Sequence, residues 1–573
     1  MQPQKIQAKH KTRRYLPFDL EIKNWEALLP FFDELKNRTI NSKKEFWNFV
    51  LDVSEVEAVV SEDAGWRYIR MTVDTANKQF EESYTQFITE IQPKLAPYEQ
   101  ALNEKIHHSP YKNDITVEGF DIYLRSIAKN IELYREENIP LFSEERLLAQ
   151  KYNAIAGAQT IHYKGKELTM QQASIYLKSK DRNERKEVYD LISARRLKDA
   201  EELNQLFSEL IHVRHKIAVN AGFENYRDYK FEALGRFDYT VDDCAKFHQA
   251  IAQQVVPLCN VFLQELKDKL AVEVLRPYDT SAEPEGEPLK PFASGKELLE
   301  KTTSAFYKID HYFGDCLSTM NQMGHLDLES KNGKAPGGYN YPLYETGVPF
   351  IFMNAVGLQR DLVTMVHEGG HAIHSFLTQD LEVTSFKSCP SEVAELASMS
   401  MELISMDKWD EFYSDNQELK RAKKDQLKGT LEALPWIATI DKFQHWIYTN
   451  PNHTTEQRTA QWMHIRKEFA GDIVDWNGYE NNHEAMWQRQ LHLFEVPFYY
   501  IEYGFAQLGA IALWKRYKEH PQQGIEGYKQ ALKLGYTKSI PNIYQAAGIR
   551  FNFSENYVKE LVEFVKGELD GMG

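Results

Sequence analysis

Along most of the chain, apolar and polar positions alternate with the period of a helix. From about residue 18 to residue 136, apolar and aromatic side chains recur every three or four places, as in Trp25-Leu28-Leu29-Phe32 and Phe80-Tyr84-Phe87-Ile91. That spacing lines one face of an α-helix. Breaks are expected at Pro93, Pro97 and the Ser109-Pro110 turn. Residues 160–168 read as a hairpin with Lys164-Gly165 at its turn. Amphipathic helices resume from 181 to 221, where Gly222 follows as a C-cap glycine. Another helix is predicted over 241–274. It leads into 276–291, whose four prolines and several acids read as an exposed surface loop. No internal repeat and no low-complexity tract interrupts the pattern.

One stretch departs from it. Gly333-Lys334-Ala335-Pro336-Gly337-Gly338-Tyr339 is glycine-rich, and Val348-Pro349-Phe350-Ile351-Phe352-Met353-Asn354 is apolar and favours strand. Loop followed by strand is predicted here, and helix from there to the end. The next helix carries Val366-His367-Glu368-Gly369-Gly370-His371-Ala372-Ile373-His374. Positions i and i+4 share a helical face, so His367 and His371 can aim their imidazoles at one point, as two zinc ligands must. Glu368, roughly a hundred degrees round the helix, can reach a water at that point without ligating the metal. The adjacent Gly369 and Gly370 cost about 0.8–1 kcal/mol each relative to alanine. They are expected to let another backbone pass close by, such as a strand of bound substrate. His374 also faces this side, but one helix rarely supplies three tetrahedral ligands, so it reads as structural or substrate-facing.

Composition narrows the class. The 573 residues allow three or four domains or one continuous helical body, and 42% hydrophobic with 13% aromatic residues supports a sizeable core. A net charge of −16 argues against nucleic acid or an anionic membrane as partner. The cysteines (Cys244, Cys259, Cys316, Cys389) form no C-x-x-C pair and read as inert thiols of a reducing compartment. Lys5, Lys9, Lys11, Arg13 and Arg14 precede no apolar run, so no secretory signal is expected. No run of about eighteen apolar residues predicts a membrane span. A cytoplasmic location is the expectation.

A catalytic zinc needs a third protein ligand from a separate element. The helix expected to start near Ser388-Cys389-Pro390-Ser391 offers Glu392, Glu395 and Glu402 on one stripe. Spacing alone does not choose among them, and Glu392 reads best as a solvated-face residue. The run Lys334 to Tyr339, the strand ending at Asn354, the HEGGH helix and Ala394-Glu395-Leu396-Ala397-Ser398 resemble the thimet oligopeptidase and oligoendopeptidase F family of zinc metallopeptidases. They look most like its bacterial oligoendopeptidase F branch, and weaker likeness covers most of the chain. The resemblance implies Glu395 as third zinc ligand and Glu402 as the residue supporting a zinc-bound histidine. It also places a histidine and tyrosines over the metal, which here are His492, Tyr499 and Tyr503, with Tyr500 as the neighbouring alternative. These would steady the oxyanion of a tetrahedral intermediate. Two departures stand out: Phe494-Glu495-Val496-Pro497 replaces a glycine-rich loop, and Gly369 stands where a bulky apolar residue is common, which would widen the site.

The resulting expectation is a mainly α fold, elongated and two-lobed around a deep channel, with a small β-sheet beside the HEXXH helix. Residues 1–180 would form an N-terminal helical lobe and 181–573 the zinc-peptidase region. The function expected is that of a zinc-dependent endopeptidase for short unfolded oligopeptides, with one Zn2+ per chain and Glu368 as general base. Gly337, Gly338 and Phe352 would hold the substrate as an added strand. The alternatives are a zinc dipeptidase or carboxypeptidase of similar build, and a non-catalytic peptide-binding module. The Asp441-Lys442-Phe443-Gln444-His445-Trp446 segment reads as structural. Cleavage preference and oligomeric state do not follow from the sequence.

Overall fold

The computed structural model describes residues 13–331, 333–335 and 337–572. Lys5, Lys9 and Lys11 of the basic N-terminal run lie outside these, as does Pro336. Among the described residues the fold is mainly helical, as the periodicity predicts, with two small sheets. The chain divides into two compact units, each drawn from three stretches. One comprises the described part of Met1–Tyr134 with Leu289–Lys424 and Ala506–Phe551; the other comprises Arg135–Pro288, Asp425–Phe505 and Asn552–Gly573, again as far as described.

In the first unit, helices Trp25–Asn37, Lys43–Val73, Gln92–His107 and Phe120–Leu133 close on a core that includes Trp25, Phe32, Phe46, Phe49, Phe87 and Phe120. At Pro93 the predicted break is only a π turn, Phe87–Ile91, after which the chain runs on as helix Gln92–His107, so helical structure continues from Lys78 and the wider turn accommodates the proline. Pro97 lies inside that helix without ending it. Arg13 and Arg14 are tied down by Glu345 and Asp52. The same unit holds the three-stranded sheet, built from β3 (Leu326–Glu329), β4 (Tyr339–Tyr341) and β5 (Phe350–Ala355) in the order β3-β5-β4. β5 runs parallel to β3 and antiparallel to β4. Both backbone edges of the strand predicted over Phe350 to Asn354 are therefore occupied. A substrate strand cannot add along it; the edge next to the HEGGH helix belongs to β4.

In the second unit the predicted hairpin forms from β1 (Thr160–Tyr163) and β2 (Lys166–Thr169). Lys164 and Gly165 both have positive φ (49° and 74°), the turn whose twist matches that of the strands. Gly222, at φ 92°, ends helix Ala200–Asn220, with the N–H groups of Gly222 and Phe223 capping the carbonyls of Val219 and Ala218. Two expectations are corrected. The helix predicted over 241–274 is two helices, Val241–Gln254 and Val256–Lys269, because Pro257 cannot continue the first. The proline-rich stretch after it is not wholly exposed: Pro277, Tyr278 and Asp279 are buried. The Asp279 carboxylate accepts hydrogen bonds from Arg182 (2.8 Å) and Arg185 (2.7 Å), which anchor the loop.

The HEGGH helix (Gln359–Thr378) and the helix Ser391–Ser405 cross at the paired glycines. A Cβ on Gly370 would lie 2.6 Å from the Ala397 carbonyl oxygen and 2.7 Å from Ser398 Cα. One on Gly369 would lie 2.8 Å from the Phe306 ring. The expectation that the glycines make room for substrate, and that Gly369 widens the site, is thus corrected: the neighbouring backbone is the second helix, and Phe306 fills the space beside Gly369. Gly370→Ala is predicted to destabilise the protein by about 1–3 kcal/mol, the usual scale of overpacking. Gly429→Ala, at an exposed helical glycine with open space around it, is predicted to stabilise by about 0.5–1 kcal/mol. Urea unfolding midpoints of the two variants check both signs.

Candidate metal centre

The turn from β5 into the HEGGH helix is fixed by Asp361, whose Oδ2 accepts the backbone N–H groups of Val356, Gly357 and Leu358 at 2.8–2.9 Å. A carboxylate at a helix start meets the positive end of the helix dipole as well as these unpaired donors. Behind it, the loop before β4 is lashed to the sheet. Buried Lys334 donates to Asp327 Oδ1 (2.7 Å), to the carbonyls of Asp327 and Glu329 (3.0 and 2.9 Å) and to Met353 O, and it lies under the Phe352 ring at 4.4 Å. Asn354 Nδ2 donates to the carbonyls of Ala335 and Gly337 at 2.8 and 2.9 Å. Gly338 packs near Phe352 O and Thr364. Phe352 itself is fully buried, stacked on Tyr339 with centroids 4.8 Å apart and paired with Asp327 and Tyr339 on either side, so neither its ring nor its backbone is open to a ligand.

His367 and His371 come together as the spacing predicts, with ring centroids 5.0 Å apart. Opposite them, Glu395 Oε2 lies 3.4 Å from His367 Nε2 and 3.6 Å from His371 Nε2. One ligand atom from each of the three residues falls within 4.8 Å of the others. Ser398 Oγ donates to the same Glu395 oxygen at 2.9 Å. Glu402 reaches His367 from behind, with 2.7 Å between Oε1 and Nδ1. That contact fixes the ring and leaves Nε2 turned toward Glu395. Glu392 is buried rather than solvated, which corrects the sequence expectation; its backbone carbonyl accepts from Tyr544 Oη at 2.9 Å. Pro390, not a polar side chain, occupies the cap position of this helix.

Electrostatics follow from burial. Desolvation opposes the Glu395 carboxylate, but His371 and His367 outweigh it and hold its pKa down to about 2. Burial also opposes charge on His367, yet hydrogen bonds to Glu395 and Glu402 raise its pKa. His371 is pushed down to about 4, chiefly by burial. An anionic carboxylate facing two imidazole nitrogens, one of which holds a proton tightly, is a donor set a divalent cation fits by displacing that proton. Glu368 is buried and pushed up to about 7, a value suited to exchanging protons near neutrality. Its backbone carbonyl accepts from Asn340 Nδ2 of β4 at 3.4 Å, which ties the edge strand to the helix. His374 does not join the cluster. It is buried, lies 3.3 Å from Cys389 Sγ, and has its pKa lowered to about 3 by burial.

The second unit gathers the remaining predicted residues. The His492 ring lies 6.0 Å from Tyr499, 4.8 Å from Tyr500 and 5.8 Å from Tyr503, and Tyr499 lies 5.3 Å from Tyr503. Two buried arginines that the sequence reading missed hold this segment. Arg214 donates to the carbonyls of Leu493 (2.9 Å) and Phe494 (2.5 Å). Arg236 donates to Phe498 O and, at 2.9 Å, to Glu502. A signal was present for Arg214, which interrupts the apolar stripe of Leu206, Phe207, Leu210 and Ile217 on its helix.

A helical body that aims two histidines and a glutamate at one point beside a buried glutamate defines a metallopeptidase. The chain belongs to peptidase family M3: the family model matches residues 175–563, and that of the M3 N-terminal domain matches residues 15–134. Its relatives place it in the oligoendopeptidase F branch. It is 21% identical over 544 residues to an oligoendopeptidase F homolog of Borreliella burgdorferi, covering 90% of this chain and 87% of that protein. Oligopeptidase PepF of Bacillus subtilis is 26% identical over 235 residues, 39% of this chain and 33% of PepF. The solved structure of Pz peptidase A superposes with a TM-score of 0.90 at 24% identity, covering 97% of this chain and 99% of that one, which shows the shared fold. Among the described residues, no helix is long and apolar enough to cross a membrane.

The Glu402 contact predicts its own test. Glu402→Ala is expected to weaken metal binding about 10–100-fold by freeing the His367 ring. Competition against a chelating dye measures the change, and an unaltered affinity would show that Glu402 does not orient the ligand.

Proposed function

We propose that this peptidase is a zinc-dependent endopeptidase acting on short unfolded peptides. The observation that carries the reading is the convergence of His367, His371 and Glu395, with Glu368 buried beside them on the same helix turn. His367, His371 and Glu395 would hold the ion. When bound, zinc supplies Lewis acidity for the scissile carbonyl and lowers the pKa of water. Glu368 takes the proton from the attacking water and passes it to the departing amine, so one carboxyl serves as base and then as acid. Glu402 and Ser398 keep His367 and Glu395 oriented while charge shifts. The phenols of Tyr499 and Tyr503, with His492, take the oxyanion-binding role that the family resemblance gives them.

β4 supports a strand-adding mode of substrate binding. It pairs with β5 on one side only, and among the described residues its other edge has no strand partner. A peptide laid along Tyr339–Tyr341 would gain main-chain hydrogen bonds irrespective of its side chains, with Gly337 and Gly338 leaving room at its end. The relatives' names, oligopeptidase and oligoendopeptidase F, agree with oligopeptides as the substrate class.

Glu368→Gln is predicted to keep stoichiometric zinc while peptide hydrolysis falls by at least about 10²–10⁴-fold, because only the proton carrier is removed. Glu395→Ala should lower zinc content, whereas Glu392→Ala should not; zinc analysis of the purified variants separates the two. Unchanged turnover in Glu368→Gln would sink the mechanism. Cuts mapped by mass spectrometry in peptides of graded length, blocked or free at their ends, distinguish endo- from exo-cleavage. Loss of all cuts with a chelator and their return with zinc are expected.

A further inference from the structure

A second cluster of metal-ligating side chains lies within the second unit, apart from the HEGGH residues. Helix Val241–Gln254 presents Cys244 and His248 four residues apart, and helix Asn416–Thr449 presents Asp441 and His445 at the same spacing. Each pair therefore shares a helical face. Cys244, His248 and Asp441 are buried, and His445 is nearly so. Ligand atoms of Cys244, Asp441 and His445 all fall within 4.8 Å of one another. His248 Nε2 meets Asp441 Oδ2 at 2.8 Å.

One atom of the cluster is unserved and another is poorly served. Asp441 Oδ1 is buried with no hydrogen-bond partner among the described residues. His445 Nε2 approaches Asp441 Oδ2 at 3.1 Å but makes no hydrogen bond. A fully buried carboxylate with an orphaned oxygen loses its hydration without replacement, which costs roughly 1–3 kcal/mol or more for a charged group. One cation between Cys244, Asp441 and His445 would satisfy both atoms at once. We propose that Cys244, Asp441 and His445 form a second zinc site, with His248 holding Asp441 in place. Mixed sulfur, nitrogen and oxygen donors suit zinc, whereas calcium and magnesium take oxygen alone.

The site has a target within its own unit. The His445 ring packs edge-on against Phe498 at 5.4 Å, and the neighbouring Gln444 Oε1 accepts the Phe498 backbone N–H at 2.7 Å. Phe498 holds φ at +68°, a left-handed conformation that non-glycine residues seldom adopt and that surrounding contacts must enforce. The residues immediately after it are Tyr499, Tyr500 and Tyr503. A cation fixing His445 would thus stiffen the support beneath the tyrosine segment.

The experiment counts metal in the full chain after dialysis against buffered zinc and then reads the spectrum of the cobalt-loaded protein. Two zinc ions per chain are expected in the wild type, one in the His367→Ala/His371→Ala double variant, and one in Cys244→Ser. Cobalt in this site would show near-ultraviolet charge transfer from sulfur, which the sulfur-free HEGGH site cannot give. The band should survive in the double variant and in Cys389→Ser and vanish in Cys244→Ser, with circular dichroism confirming that each variant is folded. The double variant tests the proposal even if Cys244→Ser fails to fold, since its own sulfur band is sufficient. A wild type with a single zinc that the double variant loses, and no sulfur band in any form, overturns the second site and leaves the peptidase reading intact. A sulfur band with no zinc lost from the double variant supports the second site and counts against the HEGGH ligands.

Discussion

The approach of one backbone to another at Gly370 is the constraint on which the metal centre depends. With any larger residue there, the helix bearing Ala397 and Ser398 would stand off by the radius of a methyl group. Glu395 and Glu402 both ride on that helix, so both would retreat together. Their distances from His367, 3.4 Å and 2.7 Å, leave no slack for such a shift. Glycine is a poor helix former, and its cost is offset here by the fit it permits between two helices. Phe306, packed on Gly369 from the other side, keeps the first helix from relaxing away from the second.

Close packing then governs the electrostatics. Glu368, Glu395, His371 and His374 are withdrawn from water, and each responds according to its partners. Glu395 stays ionised because two imidazoles face it. For Glu368 burial outweighs the pull of His367 and raises it. Two carboxylates some 27 residues apart in the chain are driven in opposite directions by the same enclosure. That separation, one carboxylate held ionised and one raised toward neutrality, is what the proposed hydrolysis by an activated water would require.

Much of this was legible in the sequence because it depends on local periodicity. The His367–His371 pair, the hairpin turn at Lys164-Gly165 and the strand over Phe350 to Asn354 each follow from spacing within a few residues. What was not legible depends on partners distant in the chain. The paired glycines announced a close neighbour without saying which, and it proved to be the Glu395 helix, not a substrate. β5 looks like any apolar strand, and only the positions of Leu326–Glu329 and Tyr339–Tyr341 make it central. Glu392 carries no local sign of burial, since its cover, Tyr544, lies some 150 residues away. Pro277 to Asp279 read as an exposed loop because the two arginines that draw Asp279 inward lie nearly 100 residues earlier.

The two metal-ligand clusters use one construction for different ends. In each, two residues four apart on one helix meet a third from another helix, and a further side chain contacts a member of the set. Glu402 does so for His367, and His248 for Asp441. The donor chemistry separates them. Two imidazoles and a carboxylate would form a three-ligand set that leaves a coordination position open, with Glu368, the proposed proton carrier, on the same helix turn. Cys244 would bring a thiolate into the other set, where the environment is apolar and aromatic: Phe231 and Phe498 pack on His445 and Phe247 on His248. Whereas burial raises Glu368, that cluster holds its own carboxylate, Asp441, ionised beside His445 and His248. Its natural work is mechanical, holding two helices in register beneath a residue whose backbone conformation needs holding.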